Sequence, residues 1–256
     1  MAQTLNKNTF STVYKDDFID SDNYYRILFN SGKKLQAREL TQAQTIINKQ
    51  IQRFGSNIFK DNAIIKGGQS DIDNAYEFVR LNTATYTGPA DPQTLVGYTF
   101  TGKTSLVQFK VQEVVAAAGA DPLTLYGTYT STKNSSASTT STIRLQANEL
   151  LENASFDDLQ VENSATCVGV GSRFMAGDAV YYTKGFFVFT EAQTLILSKY
   201  TTNPTVEIGY KRQEQTVSAD DYGALYDNQG AEPNVTAPGA DRYKISLTLV
   251  DKSTLS

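Results

Sequence analysis

A heptad-spaced apolar line in one helical stretch constrains the fold of this chain more than any other feature. The stretch Leu35–Gly55, LQARELTQAQTIINKQIQRFG, is the long segment with clear helical periodicity. Intervals of four, three, four and three residues separate Leu40, Gln44, Ile47, Ile51 and Phe54. This spacing averages 3.5 residues per turn and places the five side chains, called the seam below, on one helix face. We expect the helix to end at Gly55, because glycine favours a left-handed C-cap.

The seam is narrower than the apolar stripe by which a helix usually docks on a globular core. Two interpretations are open. In the first, the helix packs through the seam on strands of its own chain, with Ile46 as a shoulder against a neighbouring domain. In the second, the seam packs against copies of itself in an oligomer, where Gln44 forms a buried polar layer that fixes the register.

Composition excludes several kinds of chemistry. The 256 residues include no histidine, so Ser–His and Cys–His nucleophile pairs and the usual zinc sites are excluded. The formal net charge of −4 gives no electrostatic reason to expect a nucleic acid or a membrane surface as partner. The single Cys167 lies in an apolar run and is expected to be a buried, inert thiol. We therefore expect no catalytic residues, no cofactor and no metal site.

The N-terminal region, residues 1–34, has the pattern of an extended arm. Polar residues dominate it, and aromatic residues recur along it, among them Tyr24, Tyr25 and Phe29. Aromatic side chains on a polar segment are typical of an arm that lies on another surface. The alternative is an ordinary N-terminal strand that pairs with a sheet. The seam together with Tyr24, Tyr25 and Phe29 forms the predicted interface.

The remainder of the chain has β patterns. Short apolar runs follow one another from residue 63 onward, and the last one, Tyr243–Val250, alternates strictly. We expect a hairpin of Ala63–Lys66 with Tyr76–Leu81 through Gly67-Gly68, and a second hairpin that turns at Lys184-Gly185. The predicted fold class is α+β, mostly β, in which the arm and the long N-terminal helix precede small antiparallel β barrel or sandwich modules. The predicted domains are residues 1–90 with the arm, the helix and a hairpin, an inserted β domain at residues 91–198, and residues 199–256 with the C-terminal strands.

One motif match is rejected on physical grounds. Residues 97–104, GYTFTGKT, match the phosphate-loop pattern G-x-x-x-x-G-K-[ST]. The filler residues are bulky and favour β structure, and the segment that follows alternates like a strand instead of opening a helix. The sequence therefore predicts two strands joined at a Gly-Lys turn, and no nucleotide.

Three blocks of the sequence resemble a family of large structural proteins of contractile-tailed, marine T4-like bacteriophages. The first block is residues 29–68, where Leu35–Leu40 reads LQAREL; the others are residues 169–210 and 221–245, the last of which contains APGADR. The chain departs from the family pattern at four positions, Thr41, Ala43, Asn62 and Asp241.

The resemblance implies a non-enzymatic virion protein of the tail, baseplate or tail fibre. Its partners would be copies of itself, with a trimer favoured, and other tail or baseplate proteins. Members of that family are usually longer, so we expect these residues to be the front part of a longer protein. The alternative function is a carbohydrate-binding β module at the host surface, with Tyr181, Tyr182, Phe186 and Phe187 as the candidate platform. A hydrolase with two catalytic carboxylates is a third, weaker alternative.

Overall fold

A computed structural model describes residues 13–132, 144–227, 234, 236 and 238–255, with the backbone alone at 131–132. The described residues form the helix α1 (Ala37–Ile58) and strands that we number in chain order. These are β1 (Ala63–Gly67), β2 (Ser70–Arg80), β3 (Thr99–Gly102), β4 (Val107–Val115), β5 (Thr124–Thr132), β6 (Leu150–Asn153), β7 (Phe156–Gln160), β8 (Val168–Ala176), β9 (Ala179–Thr183), β10 (Phe186–Thr190), β11 (Gln193–Ser198), β12 (Ile208–Val217) and β13 (Arg242–Asp251).

The chain divides into two compact units. The first unit comprises Met1–Ser70, Ala176–Gln193 and Glu207–Ser256, and the second comprises Asp71–Met175 and Thr194–Val206. Both units are therefore discontinuous in sequence. That division, residues 1–90, 91–198 and 199–256, stays a prediction.

The first unit contains α1 and two small sheets. One sheet has the order β1-β9-β10, and the other is the two-stranded β12-β13 sheet. The β9–β10 hairpin turns at Lys184 and Gly185, whose φ angles of 52° and 85° fit a type I′ turn. The hairpin predicted at Lys184-Gly185 is thus confirmed.

The second unit is built on an eight-stranded sheet of order β11-β8-β2-β5-β4-β3-β6-β7. The pairs β2–β5, β5–β4, β4–β3, β3–β6 and β6–β7 are antiparallel. Its main core contains fully buried side chains such as Phe100, Phe109 and Leu125. Cys167 is a free, buried member of this core, as predicted, and burial raises the pKa of its thiol. A smaller cluster forms around Tyr76, Phe78 and Tyr126.

A β-bulge in β4 explains why the apolar alternation of this region is irregular in the sequence. Val107, Phe109 and Val111 point into the core, but after the bulge between Val111 and Glu113 the next core residue is Val114. The extra residue shifts the inward-facing phase by one position. Gly127 lies opposite on β5, where a Cβ atom would clash with the carbonyl oxygen of Lys110.

The coarse fold prediction is confirmed, since the structure is mostly β, with antiparallel strands and one long helix. None of the sheets formed by the described residues is a closed barrel. The predicted Gly67-Gly68 hairpin is wrong: β1 pairs with β9, and β2 pairs with β5. Gly67 and Gly68 have positive φ angles, and a Cβ atom on Gly67 would clash with the carbonyl oxygen of Asp178, so this glycine pair permits a close backbone approach.

We predict that Gly127→Ala destabilises the protein by about 1–3 kcal/mol, because the new methyl group meets a backbone carbonyl that cannot move aside. The measurement is the free energy of unfolding in urea. Gly209→Ala is the matched control, since a Cβ atom at this strand glycine meets nothing within 4 Å. Equal stability of the two variants would contradict the close contact at the bulge.

Candidate functional site

Helix α1 begins with a local capping interaction. The backbone N–H of Gln36, the N-cap residue, donates to Oε2 of Glu39 at 2.8 Å, which is one half of a capping box. The LQAREL block therefore contains the start signal of the helix. The helix continues past Gly55 to Ile58, and its C-cap is Phe59, so the prediction that Gly55 ends the helix is wrong.

Gly55 instead provides a close packing contact inside the helix. A Cβ atom on Gly55 would stand 2.5 Å from Cε2 of Tyr182, a residue of β9. The Tyr182 hydroxyl donates to the backbone oxygen of Gln52 at 3.0 Å and lies 2.8 Å from Oγ of Ser56. The rings of Phe59 and Phe187 pack beside Tyr182, with ring centroids 5.9 Å and 5.1 Å away. The helix thus docks on its own unit through small and polar residues.

The arm covers a second side of the helix. Asp17 forms an ion pair with Arg38 at 3.2 Å, and Asp20 forms one with Arg53 at 2.8 Å. Arg53 shares a helical stripe with Ile46, which is 3% exposed. The arm therefore runs along this stripe, and Ile46 belongs to the inner surface of the unit. Residues 13–36 form no strand, so the strand alternative for the described part of the arm is wrong.

The seam lies on the side that neither β9 nor the arm covers. The exposed fractions are 49% for Leu40, 60% for Ile47, 42% for Ile51 and 64% for Phe54, and Gln44 is also exposed. Ile58, four residues after Phe54, is exposed and continues the spacing. The interpretation that the helix packs on its own strands through the seam is therefore wrong. Tyr24, Tyr25 and Phe29 of the arm are exposed as well.

A cleft of about 700 Å³ in the first unit contains a buried charge cluster in its lining. Glu214 is 7% exposed and accepts from Lys184 at 2.6 Å, from Arg212 at 3.3 Å and from the Tyr243 hydroxyl at 2.9 Å. Burial alone would raise the pKa of the Glu214 carboxyl, but the hydrogen bonds of Lys184 and Tyr243 and the two cations together lower it. The cluster connects the β9–β10 turn to the β12-β13 sheet.

Sequence reasoning missed the Glu214 cluster, because alternating charged residues on a strand are typical of a solvent-exposed face.

The side of α1 that docks on Tyr182 was also missed, although the sequence contains a recognisable signal for it. Thr45, Gln52, Gly55 and Ser56 form a stripe of small or polar residues on one side of the helix. Small residues permit close packing, so this stripe could have been proposed as the docking side.

The four aromatic candidates for a sugar platform do not share one face. Tyr182 and Phe187 pack at the end of α1 with Phe59. Tyr181 packs on Tyr210, and Phe186 packs on Tyr243, both residues of the β12-β13 sheet. Neighbouring residues of a strand point to opposite faces of its sheet. Tyr181 and Tyr182 of β9 therefore lie on different faces, and so do Phe186 and Phe187 of β10.

Within the described ranges, no group of three or more His, Cys, Asp or Glu residues is placed to hold a metal ion. None of the helices in these ranges is long and apolar enough to cross a membrane. What the described residues do present is a mostly β scaffold with an exposed heptad seam on one docked helix.

The family comparison covers more than half of the chain. Residues 12–145 match the family described as Domain of unknown function (DUF4815), and the chain belongs to this family. The match includes α1, the seam and the described part of the arm. Searches of curated proteins and of solved structures found no match.

We predict that Gly55→Ala destabilises the protein, although alanine is the better helix former by about 1 kcal/mol. The clash with the hydrogen-bonded Tyr182 ring costs about 1–3 kcal/mol and outweighs that gain. The test is a double-mutant cycle in urea unfolding. In a Tyr182→Ala background, the same Gly55→Ala change is expected to stabilise the protein; a penalty of equal size in both backgrounds would contradict the contact.

A second prediction concerns the pH dependence of stability. Because the folded-state pKa of Glu214 is lowered, its contribution is fully present above the unfolded pKa and is lost as the pH falls through the lower folded value. Glu214→Gln should therefore cost about 1.5–3 kcal/mol at pH 7 and progressively less in acid. Urea unfolding from pH 7 to pH ~3 measures the cost at neutral pH and its decrease in acid. Glu207→Gln, which removes an exposed ion pair with Lys252, is the control and should change little.

Proposed function

We propose that this chain is a non-enzymatic structural protein of a bacteriophage virion, a baseplate or tail-fibre attachment component that assembles through its arm and helix. The single observation that carries this proposal is the exposed apolar seam on a helix that docks on its own unit through other residues. Four large apolar side chains in heptad register on one exposed face form an interaction surface that a monomer leaves in contact with water. The sequence resemblance to tail proteins supplies the virion setting.

The charges around the seam favour a second copy of this chain as the partner. The residues beside the seam are uncharged, namely Thr41, Ala43, Asn48, Gln50 and Asn57. The cations Arg38 and Arg53 lie away from it and are paired with Asp17 and Asp20 of the arm. A copy of the helix thus meets neutral flanks with no like-charge repulsion, and its own seam has the matching 3.5-residue period.

The residues of the seam favour a trimer. Isoleucine at consecutive core positions, here Ile47 and Ile51, shifts parallel coiled coils from dimers toward trimers and tetramers. Gln44 would form a polar layer in such a core and would fix the register at some cost in stability. In this arrangement the β-rich parts act as spacers and docking surfaces for other tail proteins, and the exposed Tyr24, Tyr25 and Phe29 extend the interface.

We predict that the purified chain is a trimer and that Ile47→Asp converts it to a folded monomer. A carboxylate in the seam would be buried without a partner in the oligomer, whereas in the monomer Ile47 is 60% exposed and tolerates the change. Sedimentation equilibrium gives the mass, and circular dichroism checks the fold.

Ile72→Asp is the matched control, because it makes the same change at an isoleucine that is 56% exposed and lies outside the helix. This variant should remain a trimer. A wild-type chain that stays monomeric at high concentration would overturn assembly through the seam.

The virion location has its own test: antibody labelling of purified phage particles should mark the tail or baseplate, and unlabelled particles would contradict it. Strong binding on a glycan array would favour the carbohydrate-binding alternative.

A further inference from the structure

The turn between β3 and β4 encloses a buried carboxylate with its backbone amides. Glu149 is 3% exposed. Its Oε1 atom accepts from the backbone N–H of Thr104 at 2.9 Å and of Ser105 at 2.5 Å, and its Oε2 atom accepts from the N–H of Gln146 at 2.8 Å. Three main-chain donors on one carboxylate form a concave anion site of the kind called a nest.

The turn is shaped around this carboxylate. A Cβ atom on Gly102 would clash with Oε1 of Glu149, so only glycine leaves room for the carboxylate. Leu106 adopts a positive φ angle of 58°, a conformation that leucine rarely takes, and Asn148 has a φ angle of 61°, which asparagine adopts more readily.

These residues are the end of the phosphate-loop match that the sequence presents. The predicted pair of strands joined at a Gly-Lys turn is confirmed by β3 and β4, which are antiparallel. The amides that would cradle a phosphate in a true phosphate loop are nevertheless directed at an anion. Lys103, the lysine of the pattern, pairs with Asp158 instead of a phosphate.

We propose that the Gly102–Ser105 turn is an anion-binding site whose ligand is the chain's own Glu149, and that removal of this carboxylate opens the site to a small free carboxylate. The occupied site attaches the segment that begins at Arg144 to the β3–β4 turn. This inference is independent of the seam and of the proposed virion role, because both the turn and Glu149 lie in the second unit.

Chemical rescue tests the proposal. Glu149→Ala should lower the melting temperature, and acetate should raise it again in a saturable way at constant ionic strength, with chloride as the balancing ion. The wild type and Glu152→Ala, which removes an exposed carboxylate from the adjoining strand β6, should show no saturable acetate effect. Adding Gly102→Ala to Glu149→Ala should abolish the rescue, because the new methyl group occupies the carboxylate position. Equal acetate effects on Glu149→Ala and the wild type would overturn the proposal.

Two further measurements test whether the turn binds the Glu149 carboxylate even if Glu149→Ala does not fold. The amide protons of Thr104, Ser105 and Gln146 should exchange slowly with deuterium, and those of Thr104 and Ser105 should exchange faster in Glu149→Gln, whose neutral amide accepts more weakly. Fast exchange of all three in the wild type would overturn the proposal. Inorganic phosphate should not raise the melting temperature of the wild type, because the site is filled; a saturable increase would also overturn it.

Discussion

The contact between Tyr182 and Gly55 determines which face of the helix remains available. A tyrosine ring can approach the helix backbone only where no Cβ atom intervenes, and its hydroxyl then reaches the Gln52 carbonyl and Ser56. The docked face is consequently small and polar. Most helices bury their apolar stripe against their own chain and expose the polar side. Here the relation is inverted, and the energetic consequence is an apolar seam whose burial requires a partner.

Those parts of the fold that depend on local chemistry could be predicted from the sequence. The helix follows from heptad spacing, the β9–β10 hairpin from Lys184-Gly185 with its two positive φ angles, and β13 from strict alternation. Strand pairing could not be predicted, because β1 and β9 lie more than a hundred residues apart and no local signal selects one partner over another. The bulge in β4 also shifts by one residue which positions point into the core. The strand therefore does not show a regular alternation of apolar and polar residues along its whole length.

For the candidate site, the sequence identified the residues correctly as one face of a helix but not the direction in which that face points. An apolar face packed on the chain's own strands and one packed on another copy have the same periodicity, so the pattern alone cannot separate them. Gly55 illustrates the difficulty. Glycine near the end of a helical pattern indicates either a C-cap or a close tertiary contact, and only the position of Tyr182 distinguishes the two. The Glu214 cluster depends on side chains from two strands and one turn, which no short motif encodes.

Glu149 and Glu214, buried carboxylates among the described residues, bear on the choice between the proposed structural role and a hydrolase. A catalytic acid or base needs a carboxyl group that can exchange its proton with a substrate. Glu214 is engaged by two cations and a tyrosine hydroxyl, and Glu149 by three backbone amides, so both groups are committed to holding the fold. In the arm, Asp17 and Asp20 form exposed ion pairs with Arg38 and Arg53 of the helix. Because the residues beside the seam are uncharged, the proposed association through the seam would depend on apolar burial and should change only weakly with salt.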